Sequence, residues 1–288
     1  MVMKQKQLVL CMGLSAMSLF TSCNSGERDF DLAPAQNKSQ TGKIVLNLNA
    51  GANFVAQTRS VDEDTYRTTA NYTVQVYNND KPTDMLVNGK YSEVDFSKLS
   101  ALQPGTYTVK AFYGNEQNYS RDEFYVEGMK NDVVVEAGDD FTVSLICLPT
   151  CGKLSVEFDK SANGMDKFYD NYEVVFSQAE AFGGNSIAWL KNDTEPYYVK
   201  LAAEGETLRY TINLTAKEDY AYTDDQGNKK TDGTVTKEFN LQRNRAYKLI
   251  IKPDYTATTQ GGLSVIINID EGTNDPIDIP VVVPIDWL

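Results

Sequence analysis

Histidine is absent from all 288 residues. Imidazole is the commonest general base, the usual partner of a nucleophilic serine and the commonest transition-metal ligand, so those chemistries are lost together. Cysteine is scarce: Cys11 and Cys23 lie near the N-terminus, and only Cys147 and Cys151 stand in the body of the chain. Basic residues are in deficit, 27 Lys and Arg against 40 Asp and Glu, for a net charge of -13. That field repels phosphate backbones and excludes nucleic acid as an expected partner. No glycine-rich phosphate loop and no nucleophile elbow is present, and no cofactor is expected. The sequence reads as a non-enzyme.

What is present begins at the N-terminus. Lys4 and Lys6 precede an apolar stretch over residues 8–20, which ends in small residues. At 13 residues it is shorter than the roughly 20 that a membrane-spanning helix needs. A basic n-region followed by such a stretch reads as a signal peptide over residues 1–22. The LFTSC ending resembles a lipobox. That resemblance implies that the Cys23 thiol is diacylated and becomes the mature N-terminus, a membrane anchor at the outer membrane of a Gram-negative envelope. Residues 23–42 are polar and poor in large apolar side chains, which suits a solvated tether. Glu27, Asp29 and Asp31, close behind the cysteine, resemble the signal that sends such lipoproteins to the outer face.

From Lys43 onward apolar residues alternate or are β-branched, and helical spacing is hard to find. The expected fold is all-β: two consecutive antiparallel β-sandwich domains, 43–150 and 151–288, parted at Pro149 and the turn after it. Strands are expected over residues 43–48, 72–76, 106–113, 123–127, 132–136 and 141–147 in the first domain. Asn88-Gly89 reads as a type I′ hairpin turn between residues 85–87 and 90–91, since that pair tolerates positive φ. The second domain is expected to hold strands over 153–158, 171–177, 186–190, 197–202, 207–216, 234–241, 246–252 and 263–269, with a short helix or wide loop at 161–169.

Residues 102–114, LQPGTYTVKAFYG, resemble a strand motif of transthyretin-like and fimbrillin-type domains. With NRAYKLII at 244–251 and the closing PIDW at 284–287, the chain resembles the fimbrillin-like surface lipoproteins of gut anaerobes over nearly its whole length. The resemblance implies an adhesin or a fimbrial subunit. Fimbrillins resemble one another in being cut after an arginine that follows the first strand, after which another subunit's strand fills the vacated groove. Arg59, in QTRS at 57–60, stands in that position. The alternative is an ordinary solvated loop charge. Residues 277–285, IDIPVVVPI, are the candidate donor strand or else an edge strand docked on their own domain. The implied partners are like subunits and host or bacterial surface ligands.

A second function class remains open. Trp189, Tyr197 and Tyr198, with Tyr220 and Tyr222, are candidate contacts for a glycan, which would make the chain a glycan-binding surface lipoprotein without catalysis. Tyrosines in strands are also good half-buried packers, and core packing is the competing reading. Cys147 and Cys151 are four apart with Pro149 between them, awkward for a local disulfide, and read as buried small hydrophobes. The acidic run at residues 270–275 lacks the ligand spacing of an EF-hand loop and reads as a solvated turn, so no metal site is assigned.

Overall fold

Alternation sets the first element. In β1 (Lys43–Ala50) Ile44, Leu46 and Leu48 turn inward and are buried, while the residues between them stay wetter. The period of two along a pleated strand is what puts one face into a core and the other into water. The computed structural model describes residues 40–51, 63–177, 182–254, 264–270 and 281–288.

After β1 come β2 (Thr73–Asn78), β3 (Met85–Lys90), β4 (Gly105–Tyr113), the short β5 (Tyr119–Ser120), β6 (Val126–Val135) and β7 (Asp140–Pro149). The second series holds β8 (Cys151–Phe158), the single-turn α1 (Met165–Phe168), β9 (Tyr169–Ser177), β10 (Ser186–Leu190), β11 (Tyr197–Lys200), β12 (Glu206–Ala216), β13 (Tyr222–Thr223) and β14 (Lys229–Lys230). It closes with β15 (Asp232–Leu241), β16 (Ala246–Asp254), β17 (Ser264–Asp270), β18 (Val281–Pro284) and β19 (Asp286–Trp287). The described residues are all-β apart from α1 and short 3-10 turns. No helix among the described residues is long and apolar enough to cross a membrane.

The first sheet runs β1-β7-β6-β4-β2-β3. The others run β10-β9-β12-β15-β19 and β18-β17-β16-β8-β11-β5, with β13 and β14 forming a small ribbon. Most pairings are antiparallel, as expected, but β1 with β7 and β8 with β16 are parallel. Neither pair is joined by a tight turn, and the long connections between them permit the parallel direction.

Two other expectations are corrected. Asn88-Gly89 is not a turn but lies inside β3, with Gly89 opposite Val74 and Asn88 opposite Gln75. Gly89 does not have positive φ, and a Cβ there would come within 3.3 Å of Val94 Cγ2, so close packing explains the glycine. The reversal falls earlier, where Asn78 Oδ1 accepts from Asp80 N at 2.8 Å and Lys81 N donates to Asn78 O at 2.9 Å. Residues 123–127 and 132–136 are not two strands; most of their span joins in the single β6, which carries Asp132 at φ 54.

The PGTY segment shows why its tyrosine follows the turn. Tyr107, buried in β4, donates its hydroxyl to Gln103 O at 2.7 Å and ties the strand back to the chain before the turn. Two hydrophobic cores result, one around β1 to β7 and one between the sheets of the second series. They share elements. Tyr198 of β11 belongs to the first core and stacks on Phe124 at 4.7 Å, while β5 pairs with β11 as the edge of the later sheet. Residues Lys38–Leu288 form one compact unit.

Candidate strand-exchange site

β1 ends its sheet. It pairs with β7 along its whole length, from Lys43 opposite Asp140 to Ala50 opposite Cys147. Lys43 N donates to Asp139 O at 2.8 Å, and Gly51 N to Cys147 O at 2.9 Å, so the ladder extends to both limits of the strand. On its other side no described strand pairs with it. Among the described residues, the bridge of Gly42 to Leu102, just before β1, and the Tyr91 hydroxyl donating to Leu46 O at 3.3 Å reach that edge. Ile44, Leu46 and Leu48 meanwhile enter the first core beside Val143 and Leu145 of β7. The Lys43–Asp140 ion pair, at 3.7 Å between exposed side chains, adds little.

The strand is also tied to the second series. Asn244 Nδ2 donates to Gly51 O at 3.0 Å, and Asn244 sits at φ 55 in the turn between β15 and β16. Asparagine tolerates that left-handed backbone better than most residues. The NRAYKLII motif therefore begins with a residue that holds the end of β1. Beyond Gly51 the chain passes to residues 52–62, and Arg59 lies there, outside the described residues; so does Cys23.

The C-terminal segment is docked on its own chain. β18 pairs with β17, Ile285 is buried, and β19 pairs with Gly233 and Thr234 of β15. The remainder of the candidate donor, 277–280, and the acidic run 271–275 fall outside the described residues.

Of the two readings of the aromatic residues, glycan contact or core packing, their placement follows the second. Trp189 is completely buried, donates Nε1–H to Glu195 O at 2.8 Å, and meets Phe176 edge-on at 5.6 Å. Tyr198 is buried in the first core, and Tyr197 is half-buried against Trp189. Trp189 and Tyr198 are core packers, Tyr197 lies on the opposite face of β11 against the second core, and the three form no exposed platform. Tyr222 stacks on Trp287 at 5.9 Å, and Tyr220 packs on Phe168 at 4.9 Å.

Above Tyr197 lies a residue that no linear pattern singles out. Arg121, just after β5, places its guanidinium 4.1 Å from the Tyr197 ring centre and binds both oxygens of Asp193 at 2.7 and 2.5 Å. The hydrogen bonds to Asp193 raise its already high pKa. The two residues are 72 apart in sequence, which is why only the fold reveals the pair.

Cys147 and Cys151 are both buried and not bridged to each other, as the packing reading held. Burial pushes the Cys147 thiol up to about 12. The described residues hold no cluster of three or more carboxylate or thiol side chains suited to a metal.

A family model described as a domain of unknown function, DUF4493, matches residues 40–284. The chain belongs to this family. The DUF4493 match spans both series of strands, including β1. Comparison with curated proteins gives no match. Among solved structures, a fimbrial assembly protein from Parabacteroides distasonis is 10% identical, with 83% of this chain and 97% of that one covered at a TM-score of 0.39. The fimbrial anchor protein Mfa2 from Porphyromonas gingivalis is 12% identical, with 80% and 98% covered at a TM-score of 0.35.

Proposed function

We propose that this DUF4493 protein is a lipid-anchored subunit of the outer cell surface that acts in adhesion or fimbrial assembly rather than catalysis. In this reading Cys23 carries the lipid, and β1 is exchanged for a partner's strand after proteolysis at Arg59. The observation that carries it is the position of β1. Among the described strands it is an edge strand, paired with β7 alone, yet it supplies three buried side chains to the core and is followed by the segment that contains Arg59. Its release would leave both an apolar groove and the unpaired backbone of β7, the two features that an incoming extended segment satisfies.

The test is intact mass and N-terminal sequencing of protein recovered from the native cell surface, with and without brief trypsin treatment. A Ser60 start in ladders of higher oligomers is the expected result. Oligomers whose subunits all begin at a lipidated Cys23 and resist trypsin at Arg59 would refute exchange while leaving the anchor. An unlipidated start at another residue would refute the anchor.

A further inference from the structure

A cleft of about 570 Å³ opens beside the β8 and β16 pair, a size typical of small-ligand sites of ~300–1,000 Å³. Its floor follows from the strand period. Leu154, Val156 and Phe158 of β8 and Leu249 and Ile251 of β16 turn into the second core, so Glu157, Lys248, Ile250 and Lys252 face the other way. The parallel register sets Lys248 opposite Ser155 and Ile250 opposite Glu157. The loops at 159–161 and 191–194 complete the wall with Lys160, Lys191 and Asn192.

Four lysines thus converge on one cleft of a chain whose net charge is -13. The carboxylates there are already engaged. Glu157 pairs with Lys248 at 3.0 Å, Asp193 is held by Arg121, and Asp159 Oδ1 accepts from Ser161 N at 2.8 Å. Asp166, behind the wall, pairs with Lys191 at 2.9 Å and Lys160 at 3.4 Å. Lys252 is exposed and has no hydrogen-bond or ion-pair partner among the described residues. Lys160, Lys191 and Lys248 are thus each engaged by a carboxylate, and among the described residues Lys252 is the cleft lysine whose ammonium is left without one.

We propose that this cleft binds a carboxylated saccharide, a glycan carrying isolated uronic or sialic acid units. Ile250 and the aliphatic lysine stems offer an apolar floor to the C–H face of a sugar ring, because a lysine keeps its stem against apolar surface and its ammonium in water. Asn192, Ser155 and Ser161 supply hydroxyl partners on the rim. Lys252 meets the single carboxylate. A dense polyanion is disfavoured by the four carboxylates at the site and by the net charge of the chain. The site is separate from β1, so this inference stands or falls independently of strand exchange.

Calorimetric titration of the full chain in detergent micelles tests it, with trigalacturonic acid, its methyl ester and 3′-sialyllactose as probes. The expected result is a Kd of about 1 mM or tighter for at least one acid, and about tenfold weaker binding of the ester than of trigalacturonic acid if that is the ligand. Lys252→Glu weakens acid binding about tenfold or more, with thermal melting little changed because its exposed side chain faces away from the core. No binding of either acid at about 10 mM overturns the proposal. So does an ester that binds as tightly as its acid, or an affinity that Lys252→Glu leaves unchanged.

Discussion

Arg121→Met removes the charged link between β5, in the first series of strands, and the β10–β11 connection in the second. The guanidinium makes two charge-assisted bonds to Asp193, lies over the Tyr197 face at 4.1 Å and donates to Ala188 O at 3.3 Å. Hydrogen bonds to charged groups contribute about 1.5–3 kcal/mol and a partly exposed cation–π contact about 0.5–1 kcal/mol. The side chains retain 24% and 23% exposure, so the stranded Asp193 reaches water and the cost stays below the ~3–5 kcal/mol of a fully buried orphan charge. The expected loss is about 2–3 kcal/mol, or a fall in melting temperature of about 5–10 °C for a unit of this size. Chemical denaturation of Arg121→Met, Asp193→Asn and the double variant measures the coupling, expected at about 1–2 kcal/mol. Arg121→Lys does not restore it, since an ammonium cannot match the two-oxygen geometry. A coupling below about 0.5 kcal/mol would refute the view that this pair fastens the two series together.

Hydrogen bonding from Lys191, then from Tyr172, together with the charge of Lys160, lowers Asp166 from 3.8 to about 2. A carboxylate depressed in the folded state stabilises above its unfolded value and loses that contribution as pH falls, so the effect is confined to roughly pH 4 down to 2. Asp166→Asn is expected to flatten the acid limb of the stability profile there, weakly because the carboxylate is about half exposed, and an NMR titration midpoint near 4 would refute it. With its thiol at about 12 and fully enclosed, Cys147 should resist iodoacetamide at pH 8 in the folded protein and react only after denaturation, as read by mass spectrometry. Trp189→Ala should cost about 3–5 kcal/mol in chemical denaturation, as expected for an indole in the core; an unchanged midpoint would contradict its burial.

The strands were legible where alternation was clean. Ile44, Leu46 and Leu48 announce β1, and the β-branched runs of β4, β7, β12 and β16 fall close to their expected limits. Local turn chemistry misled at Asn88-Gly89, because tertiary pairing with β2 overrode a strong two-residue preference. The direction of β1 was not legible either, since side-chain period is the same in parallel and antiparallel strands. For the aromatics, core packing was one of the two readings left open, and linear spacing alone could not choose between them. A tyrosine pair such as Tyr197-Tyr198 sends one ring to each face of β11, and only the packing of Phe124 on Tyr198 and of Trp189 on Tyr197 shows that both faces are covered. The lysine cleft draws on residues from 155 to 252 and has no linear signature.

Energetics limit how β1 could leave. Burying an aliphatic side chain stabilises by about 1.5–3 kcal/mol, so Ile44, Leu46 and Leu48 together account for roughly 5–9 kcal/mol before any backbone hydrogen bond is counted. That is the scale of a whole domain's stability, ~5–15 kcal/mol, so a body stripped of β1 would be close to unfolding. Cutting the chain at Arg59 therefore cannot by itself empty the groove. The nicked strand should remain seated, held by the β7 ladder and by Asn244 at Gly51, until another strand displaces it. Native mass spectrometry of protein nicked at Arg59 should find both pieces together. Adding excess peptide of residues 43–51 should release the original strand slowly, and Leu46→Ala, which empties one core position, should speed that release by weakening the leaving strand. Immediate dissociation on nicking, with the remaining body still folded, would show that β1 contributes far less than its three buried side chains imply.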